Sequence, residues 1–279
     1  FNNLMVISDD QIDQVNFNKM YIAKISKMQR LRNTSVDIVD LSWDSGTNSR
    51  ELWVLESLGS VSQKVTKTLA KEKINREFQH PLMVGIKVLG SGKTLSQASG
   101  LTDDWFTNDG QITKQPVRAL TLSALAPQKG EYLWDLGSGS GSIAIEWLLS
   151  DPSMKATAVE KNSIRAENIY LNAAKLGVDW IEVIESEIMD ALNKLDRPDA
   201  VFIGGGFSAE LFEKIWEIIP AGTRLVVNGV TIETDRLIIE CAENFGGQLL
   251  RFEYSQPKQI GGKSSWKASY PITQWVVIR

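Results

Sequence analysis

Histidine and cysteine are almost missing from this chain: His80 and Cys241 are the only ones among 279 residues. One cysteine cannot close an intrachain disulfide or a cysteine zinc cluster. It fits a reducing compartment, and the cytoplasm is the expected location. A single histidine, in the first third of the chain, removes Ser-His-Asp and Cys-His chemistry from the long C-terminal part. It also removes histidine-rich metal sites, so no metal is expected. No apolar run approaches the roughly 18 residues that cross a bilayer, and no secretory pattern follows Phe1, so no membrane partner is expected. A basic surplus is also lacking, because the net charge is −4. That argues against a nucleic-acid partner, although an acidic enzyme can still reach a single modified base. What remains is an ordinary globular composition, 43% hydrophobic and 23% charged, over a length that suits two domains.

Residues 1–95 read as a small α+β unit. LMVIS (4–8) and ELWVLESL (51–58) look like strands, and PLMVGIKVL (81–89) is β-rich. Apolar spacing predicts a helix over 17–31 and a second over 60–74, capped by Ser60 or Ser62, while 32–37 and 43–50 read as polar loops. GSGKTLSQASG (90–100) reads as a linker. Its GSGKT resembles a P-loop, but the motif needs a glycine five residues before the Gly-Lys pair, where Lys87 stands.

Residues 96–279 alternate between β and α patterns. A helix over 112–126 leads. Strands at 131–137, 155–160, 180–186, 199–205 and 223–229 are each followed by a helix, at 142–150, 163–177, 188–195, 208–219 and 233–245. Two late β-rich runs, 249–255 and 272–279, have no helix between them and must pair antiparallel or lie at an edge. The pattern predicts a doubly wound parallel sheet with right-handed crossovers.

In such a sheet ligands sit beyond the carboxyl ends of the strands, where the strand order switches. The first strand-to-helix turn reads Asp135-Leu136-Gly137-Ser138-Gly139-Ser140-Gly141. Glycine lets backbone approach a ligand closely, and the helix starting near Ser142 offers free N–H groups. A dinucleotide site would read G-x-G-x-x-G, but position 142 is Ser. The turn matches instead the pattern found around S-adenosylmethionine (SAM). Asp135 suits the cofactor's amino-acid end or the geometry of the loop. Glu160 ends the second strand, 25 residues after Asp135, and a carboxylate there can accept from both ribose hydroxyls. Ser186, Glu187 and Ile188 follow the third strand, where an adenine is bracketed. Gly204, Gly205 and Gly206 follow the fourth and permit close approach of cofactor or substrate.

Four stretches, GLTDDWFTNDGQITKQPVRALTLSAL (100–125), LWDLGSGSGSIAIEW (133–147), DAVFIGGG (199–206) and VVNGVTIET (226–234), together resemble the decarboxylating precorrin-6Y C5,15-methyltransferase family of cobalamin biosynthesis. The resemblance covers about residues 100–279, the part that methylates C15 and decarboxylates. It implies a class I SAM-dependent methyltransferase fold, Rossmann-like, with seven strands and a terminal antiparallel hairpin. It implies a precorrin substrate, and a homo-oligomer, a tetramer by analogy. It also implies that Thr113 touches the cofactor, that the turn 137–141 wraps its methionine moiety, that Glu160 takes the ribose and that Ile188 lies by the adenine. The family often has Asp where Glu160 stands. ELWVLESLGSVSQKV (51–65) resembles the tail of the family's C5-methylating domain, whose leading subdomain is not in this chain. The chain is therefore expected to be a truncated form that does not itself methylate C5.

Methyl transfer from a sulfonium needs a nucleophile placed in line and little else. A reduced tetrapyrrole supplies an electron-rich meso carbon and can absorb the electron pair left by departing CO₂. No residue stands out as a catalytic acid. Many substrate carboxylates call for cations near the sheet edge. Lys258, Lys263 and Lys267, in the stretch 256–269 read as a loop, and Lys114 and Arg118 on the leading helix are the candidates, with Lys263 and Lys267 foremost. Three other readings stay open on the residues alone: another SAM-dependent methyltransferase acting on a small molecule or an RNA base, a SAM-binding scaffold without activity, and, against the glycine spacing, a dehydrogenase. IGGG after the fourth strand does not suit amino-nitrogen methylation of bases.

Overall fold

The computed structural model describes residues 4–8, 51–57, 60–69, 79, 82–87, 95, 96 and 98–279. The chain divides into two compact units, Phe1–Gln97 with Ala174–Asp179, and Ala98–Ala173 with Trp180–Arg279. In the first, β1 (Leu4–Ser8), β2 (Glu51–Glu56), β3 (Lys64–Leu69) and β4 (Leu82–Lys87) form an antiparallel sheet in the order β1-β4-β2-β3. The helix expected over 60–74 is corrected here: Lys64–Leu69 is a strand paired with β2 in the register Glu56↔Lys64 to Glu51↔Leu69. Val65 and Thr66 are β-branched and suit a pleated surface better than a helix. Ser60 does cap, but it caps a turn: its hydroxyl donates to the Ser57 carbonyl at 2.8 Å and accepts the Ser62 N–H at 3.1 Å. The helix expected over 17–31, the loops at 32–37 and 43–50, His80 and the GSGK of 90–93 lie outside the described residues.

The second unit carries a seven-stranded sheet. Its strands are β5 (Tyr132–Leu136), β6 (Lys155–Val159), β7 (Glu182–Ile184), β8 (Ala200–Ile203), β9 (Arg224–Gly229), β10 (Gln248–Phe252) and β13 (Ile272–Ile278). The order is β10-β13-β9-β8-β5-β6-β7, parallel from β9 to β7, with β13 antiparallel between β9 and β10. The order reverses at β5, which lies between β6 and β8, so the crevice opens at its carboxyl end. The helices are α1 (Gln115–Leu125), α2 (Ser142–Leu148), α3 (Ser163–Leu176), α4 (Ile188–Ala191), α5 (Ala209–Ile218) and α6 (Ile232–Phe245). Pro116 opens α1, while Ser208 and Thr231 cap α5 and α6 by accepting the Leu211 and Thr234 N–H groups.

Every residue of β8 is buried, as a central parallel strand requires. Trp134, Trp147 and Trp275 are buried to 2% exposure or less, and each indole N–H donates to a backbone carbonyl, of Asp196, Lys155 and Gly246. The two late strands pair antiparallel as expected, but the stretch between them is no loop. β11 (Ser255–Ile260) and β12 (Lys263–Ala268) form a hairpin of their own, closed by Gly261-Gly262. Two glycines in a two-residue connection are a hairpin signal. Its polar strands, exposed throughout, hide that signal.

The segment ahead of α1 is fixed by a buried ion pair. Arg118, with no exposed surface, donates from Nε to Glu146 Oε1 at 2.6 Å and from its terminal nitrogens to the carbonyls of Thr113 and Leu101. Glu146 also accepts the N–H groups of Gly100 and Leu101, at 2.7 and 2.9 Å. Removing one partner of such a pair leaves a buried charge uncompensated. Glu146→Ala is expected to lower the unfolding free energy by about 3 kcal/mol, read by urea denaturation; a loss below about 1 kcal/mol would show that Asp103, 3.3 Å from Arg118, substitutes for it.

Candidate functional site

The carboxyl ends of β5, β6 and β8 surround a cavity of about 950 Å³, at the upper end of ligand-site volumes. The glycine turn after β5 forms one wall. The N–H groups of Gly137 and Ser138 both donate to the Val159 carbonyl, at 2.9 and 3.1 Å, which ties the turn to the end of β6. Gly137, Gly139 and Gly141 have φ of +73°, +58° and +74°, the left-handed region that side chains disfavour. They serve different ends. A Cβ on Gly137 would meet the Gly205 carbonyl oxygen at 2.9 Å, so the two glycine-rich turns approach as backbone on backbone. A Cβ on Gly141 would meet Ile169 Cγ2 at 2.8 Å; this glycine packs against α3 and does not line the cavity. Gly137, Ser138 and Gly139 do line it.

Ser140 is buried away from the cavity, with its hydroxyl unpaired and its carbonyl accepting from Asn172 Nδ2 at 3.0 Å. Asp135 is fully buried beneath the turn and is not part of the lining. Its Oδ2 accepts the Ala144 N–H at 3.1 Å, so one free donor at the start of α2 is already used, while Oδ1 has no partner among the described residues. Burial pushes its carboxyl up to about 7, against the Ala144 hydrogen bond and helped by the nearby Glu160 charge.

Glu160 faces the cavity and is 6% exposed. Its Oε2 accepts the Gly139 N–H at 2.8 Å and its Oε1 the Asn162 N–H at 2.9 Å. Each oxygen keeps a lone pair for a further donor. Thr113, Ser186, Glu187 and Ile188 line the same region, and Gly204, Gly205 and Gly206 lie opposite the turn. Two groups that sequence reasoning missed hold the rim. Asn172 accepts the Thr107 N–H at 2.7 Å and donates to the Thr107 carbonyl at 2.9 Å. Arg165, which lines the cavity, pairs with Asp109 at 2.7 Å and holds that carboxyl below its usual range.

The expected cations separate. Lys267 and Lys114 line the cavity, whereas Lys258 and Lys263 lie farther along the hairpin and Arg118 is sealed in its buried ion pair. Of the four lining cations, Lys114 pairs with Asp103 at 3.5 Å, Lys161 with Glu187 at 3.3 Å and Arg165 with Asp109. Lys267 has no carboxylate partner among the described residues.

A family model described as the precorrin methyltransferase domain matches residues 104–279. The chain belongs to this family. The chain is similar, at 44% identity over 243 residues, to the precorrin-6Y C(5,15)-methyltransferase [decarboxylating] of Sinorhizobium sp., covering 86% of this chain and 59% of that one. The probable cobalt-precorrin-6B C(15)-methyltransferase (decarboxylating) of Pyrobaculum aerophilum is 34% identical, over 62% of this chain and 92% of that one. The crystal structure of the C-terminal domain of precorrin-6Y C5,15-methyltransferase from Rhodobacter capsulatus matches with TM-score 0.64 and 43% identity, over 66% of this chain and all of that one. A SAM-dependent O-methyltransferase from Thermotoga maritima, 12% identical with TM-score 0.52, shares the fold alone. The chain thus spans about three fifths of the length of its C5,15 relatives. Among the described residues no helix is long and apolar enough to cross a membrane.

The buried Asp135 has a pH signature. In the unfolded chain its carboxyl ionises near the ordinary 3.8, in the folded one near about 7. Below the lower value both states hold the proton. Between the two only the unfolded state loses it, so stability falls as pH rises, and above about 7 the loss is complete and constant. Asp135→Asn stays neutral throughout. The stability of this variant relative to the parent is expected to grow from pH 4 to pH 7 and then level off, read by urea denaturation of the ligand-free protein. A difference that does not change with pH would mean that Asp135 ionises normally.

Proposed function

We propose that this chain binds SAM and a precorrin, methylates C15 and releases the carboxylate of the ring C acetate as CO₂. One observation carries the reading: a single cavity at the switch point joins an acid-bearing end, where Glu160 stands fixed by the turn, to an end whose polar side chains all offer hydrogen-bond donors. The names of the relatives agree. The Pyrobaculum protein, which this chain covers almost completely, is named for the C15 step and decarboxylation alone.

The residues at the acid end fit SAM. Glu160 offers free lone pairs to the ribose hydroxyls, Ile188 and Glu187 flank the adenine region, and Thr113 with Gly137–Gly139 bounds the methionine moiety. Asp135 and Ser140 lie beneath the turn and outside the lining, where Asp135 supports the turn by accepting the Ala144 N–H. When bound, the cofactor supplies an electrophilic methyl group. The chain's part is to hold the meso carbon in line and exclude water. For CO₂ loss, the bond between the acetate methylene and its carboxylate breaks. The bonding pair enters the macrocycle and the methylene carbon takes a proton from water. Gly205 and Gly206 give the macrocycle a close backbone approach, and Lys267 meets a spectator carboxylate. The resemblance of residues 51–65 to a C5-methylating domain, and the C(5,15) names of the relatives, extend the reading to C5 methylation by the whole protein. A cytoplasmic homotetramer without a nucleic-acid partner belongs to the same reading.

Titration calorimetry with S-adenosylhomocysteine tests the cofactor end. The parent chain is expected to bind, and Glu160→Ala to bind at least about tenfold more weakly; no binding by the parent removes the reading. Lys267→Ala is expected to raise KM for the precorrin about tenfold, with cofactor affinity unchanged. An unchanged KM would place the substrate carboxylates elsewhere.

A further inference from the structure

At the carboxyl end of β9 the cavity wall contains a polar side chain that the cofactor reading leaves unused. Asn228 lines the cavity yet is only 9% exposed, and it sits in a buried triad with Thr121 of α1 and Gln274 of β13. Thr121 and Gln274 are 0% and 2% exposed. Gln274 is the direct cross-strand partner of Asn228. The polarity of the triad is determined. The Thr121 hydroxyl donates to the Val117 carbonyl at 2.8 Å, so its oxygen can only accept from the others. Asn228 Nδ2 donates to that oxygen at 2.8 Å, and Gln274 Nε2 donates to Asn228 Oδ1 at 2.9 Å and to Thr121 Oγ1 at 3.3 Å. The Asn228 amide therefore cannot flip without burying two mismatched groups. One Nδ2 hydrogen is left for a ligand.

The donors lining the rest of this end are held less firmly. Tyr270 is 83% exposed, Ser269 Oγ accepts the Tyr254 N–H at 3.1 Å, and Lys267 is a mobile ammonium on a long stem. We infer that Asn228, locked by Thr121 and Gln274, positions the acetate carboxylate that is lost as CO₂, and that Lys267 serves the carboxylates that stay. This rests on the proposed function. The chemistry of the step separates the two roles. Charge leaves the carboxylate as the carbon–carbon bond breaks, so a cation beside it stabilises the ground state more than the transition state and slows the loss. A fixed neutral N–H orients the carboxylate with a far weaker hold on its charge. Thr121 and Gln274 are positioning residues, acting through the amide.

The test measures, on the full chain with SAM and a precorrin, methyl transferred and CO₂ released as separate products. It adds S-adenosylhomocysteine affinity and melting temperature for the parent, Asn228→Ala, Asn228→Asp, Thr121→Val and Thr121→Ser. Expected is a loss of CO₂ release of about tenfold or more in the first three variants, as for a lost hydrogen bond to a charged group. Asn228→Asp, which sets one carboxylate against another, is expected to fall furthest. Cofactor affinity stays at the parent value, and Thr121→Ser, which keeps the hydroxyl, restores release. Parent-like release in all variants overturns the inference and leaves the proposed function intact. Release that falls in step with cofactor affinity or melting temperature, without rescue by serine, makes the triad merely structural and also overturns it. A parent chain that binds S-adenosylhomocysteine but converts no precorrin overturns both.

Discussion

The buried pair of Arg118 and Glu146 determines where the rim of the cavity lies. Two charges removed from water are tolerable only when every donor and acceptor is used. Here the unmet hydrogen bonds are met by the leading segment, through the carbonyls of Leu101 and Thr113 and the N–H groups of Gly100 and Leu101. The segment cannot drift without stranding a charge. Thr113 and Lys114 are thereby held at the cavity, and the Gln111 carbonyl lies 3.5 Å from where a Gly139 Cβ would stand. Asn172 repeats the device one turn away, clamping Thr107 to the glycine turn through both sides of one amide. Arg118 looks like a substrate clamp in the sequence, yet its guanidinium is a fastening inside the wall.

The same logic explains why three of the four lining cations are unavailable to a polyanionic substrate. Lys114, Lys161 and Arg165 each neutralise a carboxylate of the chain and hold the walls together. A substrate carboxylate near them would have to compete with an existing pair. Lys267 has no such competitor and reaches the cavity from a hairpin that projects beyond the sheet. On the proposed reading the paired cations hold the wall and Lys267 is left for the ligand.

The βα repeat was legible because each parallel strand is a short apolar run and each helix has its own period. The glycine turn was legible because three alternating glycines before a helix have few other uses. Two failures have physical causes. KVTKTLAKEK carries both a strand's alternation and a helix's spacing, and pairing with β2 decides for the strand, a contact invisible in the local sequence. The hairpin 255–268 has polar strands on both faces, so hydrophobicity has nothing to mark, and only Gly261-Gly262 announces the turn. The residues that fasten the site were missed for a different reason. Arg118 and Glu146 are 28 positions apart, Thr107 and Asn172 are 65 apart, and Gln274 meets Thr121 across 153. Such pairs leave no periodic signal; Arg118 alone reads as a ligand cation, and the others read as ordinary surface polarity.

Asp135 ties the glycine turn to the helix that follows it. A carboxylate placed with no exposed surface under the glycine turn costs stability wherever it is ionised. The fold offsets part of that cost with one N–H from α2 and leaves Oδ1 unmet. An apolar residue would pack there without the penalty but could not accept the Ala144 N–H, so the acid secures the start of α2 beneath the turn at a cost that grows as the pH rises towards about 7.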